Sequence, residues 1–485
     1  MRKTHRPLTV AGVLLSMFMA AMEATVIGTA MPTVVEKLGG IEYYGWVGAV
    51  YMLTATVTMP LYGKLSDLYG RKPIMMLGMS IFLAGSMASG LSRSMVQLIA
   101  FRAVQGAGAG GLQPVAMTIV GDIFKPVERA RIQGIFGAVW GVAAMSGPLL
   151  GGLIVRALSW RWVFFINVPF GVLSAALMVT FFHEPVEKKD HTLDVAGTAL
   201  LAASIVALLL GASRFAPLVM LPLSAALLIG FVVTERRARE PVLSLALLRR
   251  RIMAVSSAAG ALVGSVMSST VIYLPLYVQA VLGGTPTQAG GTVAPMLVGW
   301  PLASALSGRL LPRTGYRPLV RIGFGVVTVA SITLALLLRR GASMTALGAT
   351  MFAMGTGMGL ANTALLIAVQ ESASWEERGV ATASTLFFRT IGGALAVGAL
   401  GAVLAASMGD HVAAPLLNQL LGPEHGRGLD PALLAQLSGA LRGGLWHVFD
   451  VVGAMSVAAL AAGLLFPRRS LAQIDAPGAA SAAGQ

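Results

Sequence analysis

Long apolar runs, broken by short polar links rich in Lys and Arg, set the pattern of this chain. Leu8 to Met31 holds one acidic residue, Glu23, and no base. Ala254 to Leu282 and Gly341 to Gln370 carry no charge. A helix crossing the hydrocarbon core takes about 20 predominantly apolar residues. On that measure the pattern predicts fourteen spans, near 8–32, 44–64, 74–92, 95–121, 132–156, 163–183, 193–212, 216–234, 252–282, 287–310, 319–338, 343–370, 380–407 and 444–466. An even number returns both termini to one side.

Composition agrees with a polytopic all-α membrane protein. Of the 485 residues, 56% are hydrophobic and 11% charged, against about a quarter charged in soluble domains. The formal net charge is +15, but the bases are spread over short loops, which excludes a nucleic-acid surface and suits topogenic signals. Twenty-four of the 35 Lys and Arg fall on the N-terminal side of the expected spans and nine on the other; Arg102 and Arg389 lie within spans. By the positive-inside rule, both termini are expected in the cytoplasm and the spans in the plasma (inner) membrane.

The absence of cysteine excludes a disulfide scaffold, a thiolate metal site and a Cys nucleophile. The basic start followed by an apolar run has the look of a signal peptide. That run is 24 residues long and contains Glu23, so it reads as a retained first helix. An outside loop is expected from Met408 to Arg442; its His411, Glu424, His425 and Asp430 lack metal-ligand spacing, so no metal is expected. Ser470 to Gln485, Ala-rich and polar, is expected to be disordered. No G-x-x-x-x-G-K-[ST] loop is present, and no cofactor is implied.

Gly63-Lys-Leu-Ser-Asp-Leu-Tyr-Gly70-Arg71-Lys72-Pro73 has a counterpart in Gly308-Arg-Leu-Leu-Pro-Arg-Thr-Gly315-Tyr316-Arg317-Pro318. Both follow one apolar segment and precede another. Duplicated halves with a site at their interface mark secondary transporters. The expected organisation is a six-helix half over 1–190, two inserted helices over 191–240, a second six-helix half over 241–469 and a tail over 470–485. The glycines suit tight turns, Pro73 suits a helix start, and Asp67 suits a helix N-terminus or a base. Pro312 replaces the acid in the second copy, so a latch would exist on one side alone.

The first of these loops resembles the signature between helices two and three of the major facilitator superfamily. Arg102-Ala-Val-Gln105-Gly106-Ala-Gly108-Ala-Gly110-Gly111 is similar to its fourth-helix motif with an intramembrane arginine. Trp140-Gly141-Val-Ala-Ala-Met-Ser-Gly147-Pro148-Leu-Leu-Gly151-Gly152 resembles the antiporter motif found mainly in exporters. Trp160-Arg-Trp-Val-Phe-Phe-Ile-Asn167-Val-Pro169 resembles the start of helix six in fourteen-helix drug:proton antiporters of the EmrB/QacA type. The resemblance spans roughly residues 8 to 467. It departs in helix one, where Met22-Glu23-Ala-Thr25-Val26-Ile-Gly28 keeps an acid as Glu and has Gly28 in place of the usual Asn.

The resemblance implies a proton-coupled exporter of hydrophobic small molecules, cationic ones included, with Glu23 and Arg102 in coupling. Gly63, Asp67, Gly70, Arg71 and Lys72 then form a gating loop, and Gly141, Gly147, Pro148, Gly151 and Gly152 a close-packing seam with a bend. An acid at membrane depth costs about 2.5–3.5 kcal/mol on insertion scales and marks a functional position. Arg102 is expected to find either Glu23 or a backbone carbonyl. Gln105, Gln113, Tyr273, Trp300 and Asn362 are candidate cavity residues, with Asn167, Gln279 and Gln370 as further polar positions. His447 and Asp450 read as solvent-exposed at a helix mouth. The expected partners are a hydrophobic substrate, protons and the bilayer, with a monomeric carrier and a periplasmic adaptor as an optional addition. Lipid or metabolite export and proton-linked uptake are the alternatives within transport. A membrane enzyme would want a nucleophile and base, or paired acids, at membrane depth, and a sensor would want a long cytoplasmic loop; neither is present in the sequence.

Overall fold

A computed structural model describes residues 4–39, 43–184, 194–212, 216–238, 241, 243, 245–341, 343–408 and 431–467. Among the described residues the regular structure is helical throughout. The helices are α1 (Arg6–Leu38), α2 (Tyr44–Tyr69), α3 (Arg71–Leu91), α4 (Met95–Ile123), α5 (Pro126–Ala157), α6 (Trp162–Phe165), α7 (Asn167–Phe181), α8 (Val195–Ala212), α9 (Pro217–Glu235), α10 (Leu245–Arg249), α11 (Arg251–Ala280), α12 (Pro286–Thr314), α13 (Tyr316–Arg340), α14 (Met344–Ser372), α15 (Arg378–Met408) and α16 (Pro431–Leu464).

Each of the fourteen expected segments is helical, but ten helices among the described residues are long and apolar enough to cross a membrane, or eleven if the two bent parts of α5 count as one span. The difference has a physical reason. α2 and α4 are 26 and 29 residues long, but their Gly, Thr, Tyr, Gln and charged positions lower their hydropathy. α8 is apolar and short. At the C-terminal end the expected outside loop is shortened: α16 begins at Pro431, well before 444. His411, Glu424, His425 and Asp430 lie outside the described residues, as does the tail 470–485. Among the described residues no cluster of three or more His, Cys, Asp or Glu could hold a metal.

The chain divides into two compact units. The first holds residues 1–211, 216–253 and 366–387, so the end of α14 and the start of α15 pack with α1–α10. The second holds the remainder, chiefly α11–α13, most of α14, most of α15 and α16.

Inside the first unit, α4 packs against α2 and α3, and α1 against α5 and α7. Gly106 and Gly110 of α4 set the α2–α4 approach: a Cβ at either would overlap an α2 carbonyl and the hydroxyl of Thr54 or Thr58. Small residues let helices meet by packing where lipid supplies no hydrophobic drive between them. In the second unit α13 packs on α16, and Thr328 Oγ1 donates to the Ser456 carbonyl at 2.9 Å.

The repeated loop has one backbone solution in both copies. Gly70 joins α2 to α3 at φ 92°, and Gly315 joins α12 to α13 at φ 73°. Both values lie in the region that favours glycine. The loop therefore reverses direction at a single residue in each unit.

Candidate functional site

Glu23 and Arg102 meet in the first unit, 1% exposed each. Arg102 Nη1 donates to Glu23 Oε1 and to Gln105 Oε1 at 2.7 Å, while Nε donates to the Val47 carbonyl at 3.2 Å. Both sequence expectations for Arg102, an acid and a carbonyl, are present together. The guanidinium lies 4.2 Å from the Tyr51 ring centroid. The other oxygen of Glu23 accepts from Asn167 Nδ2 at 2.6 Å. Asn167 also reaches Ser86 Oγ at 3.0 Å, and Ser86 donates to the Phe164 carbonyl at 2.8 Å. Six helices thus contribute to the cluster around one buried ion pair. Gln105 Nε2 is buried there with no partner among the described residues.

Such a pair costs desolvation, and removing one partner leaves a buried charge at a penalty of about 3–5 kcal/mol. Neutralising Glu23 removes the counter-ion of a guanidinium that keeps its charge.

The second site lies at the Gly70 end of the same unit. Gly63 is closed on by α15: a Cβ there would stand 2.9 Å from the Gly379 carbonyl oxygen. Asp67 accepts the backbone N–H groups of Gly379 and Val380 at 2.8 and 2.7 Å, at the first turn of α15, where the helix dipole favours an anion. Arg71 lies 3.0 Å from the same carboxylate, so both partners expected of Asp67 are in place. Arg71, fully buried, donates to Asp122 at 2.9 Å, to the Ser66 carbonyl at 3.0 Å and to the Trp375 carbonyl at 2.5 Å. Its guanidinium lies 4.0 Å from the Trp375 ring centroid.

Glu184 accepts from the Arg71 and Lys72 amides at 2.7 and 3.1 Å, capping α3. Lys72 Nζ donates to the Val179 and Phe182 carbonyls at 2.7 and 2.8 Å, closing the end of α7. Arg378 donates to Asp122 at 2.8 Å, and Arg129 pairs with Glu371. Burial pushes the Asp67 carboxyl up to about 7, against the pull of Arg71 and the two amides. Burial also raises Glu184.

The antiporter seam faces α1. The Thr25 hydroxyl occupies the space a Gly147 side chain would need, and the Thr29 hydroxyl that of Gly151. Thr25 donates to the Ala143 carbonyl at 3.1 Å. Gly141 is buried, Gly152 has nothing within 4 Å of a Cβ, and the side chain of Pro148 is outside the described ones. α5 bends by 43° between Pro126–Ala144 and Leu149–Ala157.

The cavity candidates are not gathered in one place. Gln105 belongs to the Arg102 cluster. Gln113 of α4 and Trp300 of α12 are half-buried. Tyr273 uses its hydroxyl on the Val397 carbonyl at 2.7 Å, joining α11 to α15. Gln370 joins α14 to the Met117 carbonyl at 3.1 Å. Asn362 Nδ2 is buried with no partner among the described residues. Two open grooves of about 540 and 600 Å³ lie on the second unit, between α13 and α14 and between α12 and α14. None of the candidates lines them. Asp450 is exposed and pairs with Arg339, and His447 is exposed.

Tyr51, Ser86, Asp122, Glu184, Glu371 and Trp375 belong to the two clusters without having been singled out in the sequence. The acids had one signal: each lies near a run of inside-loop bases.

This geometry, an all-helical membrane chain with a buried acid–arginine pair and a glycine-hinged charged loop, defines a multi-pass transporter. Residues 13–397 match the family model described as Major Facilitator Superfamily, and the chain belongs to that superfamily. It is a transporter and not an enzyme. It is 34% identical over 418 residues to "Multidrug transporter protein MdtP" of Bacillus subtilis (strain 168), covering 84% of this chain and 77% of that protein. It is 35% identical over 405 residues to "Multidrug resistance protein 3" of the same organism, covering 81% and 78%. The solved structure of the human organic anion transporter MFSD10 (TETRAN) shares the fold at a TM-score of 0.66 and 16% identity, covering 95% of this chain and all of that one.

Proposed function

We propose that the chain is a proton-coupled antiporter of the fourteen-helix EmrB/QacA type. It exports hydrophobic drugs or toxic small molecules from the inner membrane by alternating access, as a monomer with both termini in the cytoplasm. The domain reading keeps two six-helix halves, 1–190 and 241–469, with inserted helices over 191–240. Relatives named for multidrug transport and resistance support the cargo class. The observation that carries the coupling is the buried Glu23–Arg102–Asn167 cluster.

Glu23 is the proton carrier in this reading. While ionised it holds Arg102, and with it α1 against α4. A proton on Glu23 cancels that attraction and leaves Arg102 on Gln105 and Val47. The change in pairing biases the two access states. The Asp67–Arg71–Asp122 cluster is the gate on the cytoplasmic side, tying α2 to the start of α15. The glycine seam of α5 lets α1 move against it while Thr25 and Thr29 keep the register. Inward proton movement supplies about 2.3 kcal/mol per 100 mV and about 1.4 kcal/mol per pH unit. One proton therefore supports an outward cargo gradient of one to two orders of magnitude.

The test uses purified protein in liposomes with a fluorescent lipophilic probe and an imposed pH gradient. Uphill probe movement that follows the sign of the gradient and stops with a protonophore supports antiport. Probe movement indifferent to the gradient contradicts it and favours lipid or metabolite export by the same fold.

A further inference from the structure

Arg389 lies eleven residues into α15, in the part that belongs to the second unit. At the helical rise this is about 16 Å from the start of the helix. There α15 touches α11: the Arg389 carbonyl carbon and Cγ stand 2.8 and 3.0 Å from where a side chain on Gly264 would begin. The side chain is half-buried. It makes no hydrogen bond, ion pair or ring contact with any described residue. Arg102, by contrast, has Glu23, Gln105 and Val47.

A second donor lies at the same level. Asn362 stands ten residues before the end of α14, about 15 Å along the helix. The short link 373–377 joins α14 to α15, so each position lies about 15–16 Å along its helix from that link. Asn362 Nδ2 is buried and has no partner among the described residues. Both groups want an acceptor, and no described residue supplies one. Two acids within the spans are held by bases among the described residues: Glu23 by Arg102, with Asn167 beside it, and Asp450 by Arg339. A lipophilic cation at this level would meet a standing positive charge.

Arginine cannot discharge itself by losing a proton, and a charge within a span faces a cavity or a partner. A planar guanidinium binds two-oxygen anions through paired, charge-assisted hydrogen bonds. We infer that Arg389, with Asn362 at its level, recognises an anionic group on the cargo. The preferred substrate class is then an amphipathic organic anion, a carboxylate or sulfonate on an apolar body. This narrows the hydrophobic cargo expected from the sequence, which included cations, and it rests on the export reading above.

The experiment uses the full chain and three probes with one apolar body: pyrene sulfonate, pyrene sulfonamide and a pyrenyl trimethylammonium. Binding is followed by quenching of the tryptophans, and transport in liposomes. The wild type is expected to bind the sulfonate tightest. Arg389→Gln is expected to weaken the sulfonate at least about tenfold while leaving the sulfonamide within about twofold, the signature of a lost charge pair. Arg389→Lys keeps the charge without the fork and should fall between. Asn362→Ala should weaken the sulfonate more than the trimethylammonium probe. These two variants carry the test if Arg389→Gln does not fold. Equal weakening of all three probes in the Arg389 variants, or a wild-type preference for the cation, overturns the inference while the export reading stands. A wild type that binds and moves none of the probes overturns both.

Discussion

The carboxylate of Asp67 accepts the backbone N–H of Val380 at 2.7 Å, across 313 residues of chain. With the Gly379 amide it neutralises the positive end of α15. The bond ties a loop near the start of the chain to a helix that continues into the second unit. Asp67→Asn keeps the shape, loses the charge and turns one acceptor into a donor that faces an amide. Opening at this end is expected to become easier by about 1–3 kcal/mol, the cost of leaving a buried amide N–H without an acceptor. Because the chain has no cysteine, Ser66→Cys, at a fully buried position, reports opening directly. Its maleimide labelling should rise several-fold in the Asp67→Asn background.

The same contact should respond to pH. Burial holds Asp67 at about 7 in this arrangement, against about 3.9 for a solvated Asp. A raised value means that the arrangement binds a proton more tightly than an opened one. Its stabilisation is full below the solvated value and is lost as pH rises through about 7. Ser66→Cys labelling, normalised to a cysteine at exposed Ser374, should increase between pH 6 and pH 8. Asp67→Asn should flatten that dependence.

Stability data should expose the buried pair. Glu23→Gln leaves Arg102 without its counter-ion and is expected to cost about 3–5 kcal/mol, with Arg102→Gln similar. The double variant should recover part of that loss, since two neutral amides can bond where two charges stood. Thermal unfolding followed by tryptophan emission measures this. Additive losses in the double variant would mean that the two side chains do not interact.

Helix approach supplies a steric prediction. Gly147→Val would drive a side chain into Thr25, and Gly110→Val into Thr58 and the Ala55 carbonyl. Overpacking of this kind costs about 1–3 kcal/mol. Gly152→Val, with nothing within 4 Å, should be nearly silent. A lowered melting temperature in the first two and not in the third checks the seam.

Much of this was legible in the sequence, for physical reasons that differ by element. Apolar run length located the helices, because the bilayer fixes their length. The repeat located Gly70 and Gly315, because each must reverse the chain at positive φ. Glu23 and Arg102 stood out as charges where charge is costly. Their pairing is not legible there, since nothing in one sequence ranks a carboxylate against a carbonyl as the partner of Arg102. The α4 and α2 spans were read as apolar, whereas their glycines and threonines make them helix-facing and lower their hydropathy. Trp375, stacked on Arg71, carried no local signal, because its contact is made across more than 300 residues.

The account turns on Glu23 as the proton carrier. The direct measurement is substrate-induced proton flux in liposomes, read by a trapped pH dye, for the wild type and Glu23→Gln at equal probe binding. The account predicts that wild type releases a proton into the lumen or takes one from it with each probe moved, and that Glu23→Gln binds the probe without proton flux. Undiminished proton flux in Glu23→Gln would contradict it and place the coupling elsewhere.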